Sequence, residues 1–201
     1  MAELNFKDYR GVRDIVYALL TADTLADITY GAVTPFAGAE EISQEVEESS
    51  GTKYYDNAPR IVTTGEGADT WNLITSAIEN QVRADIEGRV FDTEKGMYVG
   101  TPLNRPYLAI GFVGQLTDGT EEAVWVLKNK ITGGNPTHRT TDDGTDSNGL
   151  EFAVNSIYTT HKFASADNKP AKFVKVDLSK VDETTFFSKV TTPDEVALKT
   201  A

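Results

Sequence analysis

The chain has 201 residues, 31 Asp and Glu against 19 Lys and Arg, a formal net charge of −12 and no cysteine. That length fits one domain with a sizeable core, and the missing cysteines exclude a disulfide scaffold and any thiolate metal site. The acidic balance argues against tight nucleic-acid binding, where affinity comes from cations that neutralise phosphates, and no apolar run approaches the ~20 residues a membrane helix needs.

The first ten residues, "MAELNFKDYR", carry acidic side chains and no apolar core, so they do not read as a signal peptide. A soluble protein made in a cytoplasm is the expectation. Residues 12–20, "VRDIVYALL", follow Gly11 and are rich in β-branched and aromatic residues, as a mostly buried strand is. Polar residues, Gly31 and Pro35 then suggest a loop and a short edge strand. Residues 41–48 alternate, with Ile42, Gln44 and Val46 on one face and Glu41, Ser43, Glu45 and Glu47 on the other. This is the pattern of a half-buried strand with an acidic outer surface. The run "SSGTKYYDN" after it reads as part of a long loop, 44–60.

"WNLIT" (71–75) reads as a strand that leads into a helix at about 77–87. Ser76 and Glu79 have capping-box spacing, Ile78, Val82 and Ile86 recur at i+4, and Gly88 ends the run. The clearest hairpin is 107–128, turning at Asp118-Gly119, a dipeptide favoured in type I′ turns. Both faces of its arms are largely apolar, which predicts a central position in the sheet.

Residues 132–149, "TGGNPTHRTTDDGTDSNG", hold no large apolar side chain and read as a functional or a mobile loop. Strands are expected again over 150–163 and 172–178, then a second capped helix after Ser179-x-x-Asp182 and a C-terminal arm that adds a turn of helix or frays. Six or more strands with two short helices predict a mainly β protein, an antiparallel sandwich or barrel with flanking helices and long loops.

Chemistry is sparse. His138 falls in the polar loop and His161 in a strand, neither with a metal-ligand spacing. "DDGTDSNG" has the flavour of a calcium loop, but the first ligand position is Gly144 and the twelfth Asn155, so a turn-rich loop explains the same letters. "GEGAD" (65–69) lacks the lysine and spacing of a phosphate loop, and no G-x-S-x-G is present. No catalytic residue, cofactor or metal site is expected. Tyr54, Tyr55, Trp71 and Trp125 read as core or interface aromatics rather than stacking platforms.

The order of elements is more specific than any motif. "GVRDIVYALLTADT", "ITYGAVTPFAGAEEISQEVEESSGTKYYDNAP" and "PYLAIGFVGQLTDGTEEAVWVLKNKIT" together resemble the major tail proteins of long-tailed, non-contractile bacteriophages. In that family a V-x-Y-A-x-L-T-x-D strand leads to a Y-G…G-A turn and a Y-x-D segment. Here those positions are Val16 to Asp23, with slightly different spacing, then Tyr30-Gly31 to Gly38-Ala39 and Tyr55-Asp56. The resemblance covers roughly residues 10–165; the 132–149 loop and the C-terminal 40 residues match it less clearly.

It implies one tail-tube domain over 1–201, with 44–60 and 132–149 as long loops and 179–201 as a C-terminal helix or arm. Members form rings, commonly hexameric, that stack into a tube through which DNA is ejected without specific binding. Expected partners are further copies of the chain and the tape-measure, tail-tip and tail-terminator proteins. The expected location is the virion, after synthesis in the host bacterial cytoplasm. Glu41, Glu45, Glu47 and Glu48 become candidates to line the lumen, and Lys53, Tyr54, Tyr55 and Asp56 candidates for the contact between subunits or rings. An acidic wall suits a conduit for DNA, since it offers no phosphate contacts. Two other readings stand beside this one: a carbohydrate-binding or adhesin-type module, and a carboxylate-only hydrolase.

Overall fold

The computed structural model describes residues 6–138, 140 and 149–199. Its strands are β1 (Tyr9–Asp23), β2 (Ile28–Tyr30), β3 (Thr34–Ala37), β4 (Ala39–Tyr55), β5 (Ala58–Thr75), β6 (Val90–Asp92), β7 (Met97–Val99), β8 (Leu108–Leu116), β9 (Glu121–Gly133), β10 (Leu150–Ser156) and β11 (Phe173–Asp177). Two short α-helices, α1 (Asn80–Glu87) and α2 (Glu183–Phe187), complete a mainly β fold. One sheet runs in the order β2-β1-β8-β9-β10-β5-β4, with β3 added to β1 and β11 to β9, while β6 and β7 form a separate small hairpin. All of these pairings are antiparallel.

The sheet is apolar on both sides where β1, β8 and β9 lie, and each side has its own cover. Leu108, Ile110 and Phe112 of β8 join Ile15, Leu73, Val124 and Val154 in one core, closed by Val82 and Ile86 of α1. Ala109 and Val113 of the same strand point the other way, into a second core with Trp125, Phe163, Val181, Phe186 and Val190. A two-layer, sandwich-like packing results, and the central position expected of the 107–128 hairpin is what is found. At Gly111 the layers are close: a Cβ there would lie 2.9 Å from the rings of Phe187 and Trp125. Trp125 Nε1 donates to Phe186 O at 3.1 Å, tying the second layer to the sheet.

Several local expectations are corrected. The 116–120 connection is not type I′: only Gly119 has positive φ (83°), and its N–H donates to Leu116 O, so the chain makes a type I turn closed by a left-handed glycine. Asp118 Oδ1 takes the Thr120 N–H instead of adopting the left-handed region itself. Helix α1 begins at Asn80, not 77, because Ser76 Oγ accepts from Gly38 N and Glu79 makes no side-chain cap. Likewise α2 is capped by Asp182, whose carboxylate accepts from Thr185 N, and not by Ser179. Strand β10 stops at Ser156, because the Asp23 carboxylate captures the Thr160 and His161 N–H groups and draws the chain away; His161 is therefore outside any strand. Over residues 179–199 the helical alternative holds and not the frayed one: α2 is followed by a 3-10 turn at Pro193–Glu195, and Val181, Phe186, Val190 and Thr191 are buried in the second layer. Of the 132–149 loop, Thr132 and Gly133 belong to β9, and Arg139 and residues 141–148, with the calcium-like letters, lie outside the described residues.

Candidate functional site: a projecting two-stranded arm

The expected 44–60 loop is instead the distal part of a long hairpin. β4 and β5 pair from Ala39↔Thr75 to Tyr55↔Ala58, and the turn is the two residues Asp56 and Asn57, with φ of 52° and 60°. Positive φ at both positions is the type I′ geometry that matches strand twist, and Asp and Asn tolerate it better than most residues. The segment's serine, threonine and glycine are residues typical of a loop. What holds this segment extended is its cross-strand partner, with Ser49↔Gly65, Gly51↔Thr63 and Thr52↔Val62 in register.

The root of the hairpin is ordinary sheet: β5 from Asp69 to Thr75 is also paired with β10. Beyond Asp69, β5 has β4 as its one strand partner among the described residues. Residues 47–57 and 59–66 are all exposed, although Tyr54, Tyr55, Ile61 and Val62 are among them. Nine residue steps from Val46 to Tyr55 make an arm about 30 Å long. Tyr54 and Val62 are 67% and 66% exposed, so the apolar side chains of the tip have no cover within the chain.

A buried charge cluster fixes the arm at its base. Lys172, whose side chain is 3% exposed, donates from Nζ to Glu66 Oε1 at 2.5 Å, Asp69 Oδ1 at 2.6 Å and Gly67 O at 2.7 Å. Its ammonium also sits 4.7 Å from the centre of the Tyr158 ring. Asp69 receives a further bond from Gln44 Nε2 at 3.0 Å. Burial by itself pushes Lys172 down, but the bonds to Asp69 and Glu66 outweigh it and leave the lysine raised above its ordinary value. Glu66 is held below the usual carboxylate range by its bonds to Lys172 and Tyr158. Sequence reasoning missed this cluster. Its partners lie about a hundred residues apart, and an Asp or a Lys at a strand end reads as surface charge.

The four glutamates do not share a face. Residues paired directly across strands lie on the same side, and Val46 and Glu48 pair with Asp69 and Glu66, the two carboxylates that reach Lys172. Glu48 therefore shares the side of the cluster, while Glu41, Glu45 and Glu47 lie on the other. All four are exposed, and none forms an ion pair among the described residues. Lys53, Tyr54, Tyr55 and Asp56 stand together at the tip, with Tyr54 and Tyr55 on opposite faces. Trp71 and Trp125 are buried in the two cores.

Among the described residues, no group of three or more His, Asp or Glu is placed to hold a metal ion, and His138 is an exposed loop residue. No described helix is long and apolar enough to cross a membrane. No protein-family model matches the chain, and the comparison with curated proteins found no match. The arm is thus the feature with the strongest physical claim to a function: two exposed strands with open edges and an aromatic tip, held rigidly at the root.

Proposed function

We propose that this chain is a structural subunit that polymerises through its arm into stacked rings around an axial bore, as the tail tube of a long-tailed, non-contractile phage. It works by assembly and passage, without a catalytic step or a cofactor. The observation that carries the reading is the 30 Å arm. An isolated two-stranded hairpin is marginally stable in water, and an open strand edge is a template for pairing with another chain. A protein that builds such an arm and then locks its base with Lys172 is incomplete until other copies cover it.

The acidic composition supports the conduit half of the reading. A wall presenting Glu45 and Glu47 repels phosphates and lets DNA slide. With Glu48 on the opposite side of β4, three of the four glutamates share one surface and the fourth faces back toward the body. The virion location, the ring number and the tape-measure, tip and terminator partners rest on the family resemblance together with this geometry.

The test is direct. The full chain and a variant in which residues 47–66 are replaced by Asn-Gly are purified, and assembly is followed by sedimentation and negative-stain microscopy. The full chain forms rings or tubes with an axial hole, and the shortened chain stays monomeric with an unchanged body. Equal assembly by both removes the arm from the mechanism. A chain that stays monomeric and is retained on glycans through Tyr54 and Tyr55 gives the carbohydrate-binding reading instead.

A further inference from the structure

A cavity of about 460 Å³ opens between the first residues of β1 and the root of β4. Its walls are apolar: Val12, Ile42, Trp71, Phe112 and Val124. Two open backbone edges flank it. β1 from Tyr9 to Asp14 is paired on one side by β8, while β2 and β3 pair only residues from Ile15 onward. β4 pairs only with β5 among the described residues. An apolar cavity with two free edges fits an extended segment carrying a large apolar or aromatic side chain.

We infer that this cavity receives the arm tip of a second copy of the chain, with Tyr54 and Val62 entering it. The inference rests on the assembly reading above and names where the arm goes. Tyr54, Thr52 and Val62 share one face of the tip, so one insertion buries both of its most exposed apolar side chains. Charge agrees. The tip carries Lys53 and Arg60 against Asp56, a cationic point in an acidic chain. At the rim, Lys175 is taken by Glu122 at 3.0 Å, leaving Glu40 and Glu41 against Arg10.

The donor cannot be the same molecule. Ten residue steps separate Gln44, at the cavity, from Tyr54, so along the extended strand the tip stands about 33 Å from its own cavity. Donor and acceptor are different patches on one chain. Returned by the same partner, this contact makes a two-fold dimer; passed on to a third copy it closes into a ring or propagates as a filament, and the ring reading takes the second course.

Because the chain has no cysteine, introduced thiols report single contacts. Thr52→Cys and Glu41→Cys chains are mixed under assembly conditions and treated with a short bismaleimide. The mixture gives a cross-linked dimer of the two kinds of chain, and neither variant alone does. In parallel, Tyr54→Ala raises the concentration needed for assembly at least about tenfold, whereas Tyr55→Ala, on the opposite face, changes it much less. Both tyrosines are exposed, so the body melts as in the wild type, which thermal denaturation checks. If the wild type assembles but Tyr54→Ala assembles equally well, or if Thr52→Cys links only to itself, the cavity is not the receptor, and polymerisation through the arm still stands. If the wild type does not assemble, both readings fall.

Discussion

Replacing Lys172 by methionine tests whether the arm is held by its buried charge cluster. The substitution keeps the chain length and removes the cation, leaving the Asp69 carboxylate, 2% exposed, with Gln44 as its side-chain partner among the described residues. Breaking a buried pair from one side costs about 3–5 kcal/mol, because the remaining charge stays desolvated. Glu66 adds little to that figure, since its side chain is about half exposed and water screens it. For a chain of this size the melting point should fall by about 6–20 °C. Amides of residues 59–66 should also exchange faster in Lys172→Met, as the tether to Glu66 and the Gly67 carbonyl is gone. The double variant Lys172→Met/Asp69→Leu removes both charges and should recover at least half of the loss, since a buried ion pair is often replaceable by apolar groups. Thermal denaturation and native-state hydrogen exchange read both effects. A single variant that loses under about 1 kcal/mol, or a double variant worse than the single, would show that the cluster is not what fixes the arm.

Two more outcomes follow from the body of the fold. Asp23 accepts from Lys128 Nζ at 2.6 Å, Thr160 N at 2.8 Å and His161 N at 2.9 Å; burial alone raises its pKa, but these bonds outweigh burial and hold it below the usual carboxylate range. Asp23→Asn should cost about 1.5–3 kcal/mol at neutral pH. A depressed folded-state pKa stabilises above the unfolded value near 3.9 and is lost as pH falls through the folded one, so the gap between wild type and variant should close below about pH 4. A gap that is constant from pH 7 to pH 2 by denaturant titration contradicts this. Gly111→Ala sets a small entropic gain of about 0.4–1 kcal/mol against a methyl 2.9 Å from two aromatic rings. Overpacking of about 1–3 kcal/mol wins, and the melting point should drop rather than rise.

Composition and periodicity alone determined the fold class, because period-2 alternation and turn residues are local properties of the chain. Apolar residues on both faces of 107–128 were enough to place that hairpin in the middle of the sheet, and the Ile78, Val82, Ile86 spacing located α1 to within three residues. Within the candidate site, the acidic alternation of 41–48 was legible, and so was the tyrosine pair. Tertiary structure decided the rest. Residues 44–60 have the letters of a loop, and only pairing with β5, a partner fixed by long-range geometry, makes them strand. Nothing local tells Glu48 from Glu45 until the register with Glu66 and Thr70 is known. The Lys172 cluster joins residues about a hundred positions apart, and the cavity beside it needs β1, β4, β5, β8 and β9 at once. Short-range pattern sets which way side chains can alternate; burial, and with it the strength of every charge and the value of every aromatic, exists only after distant segments have excluded water from one another.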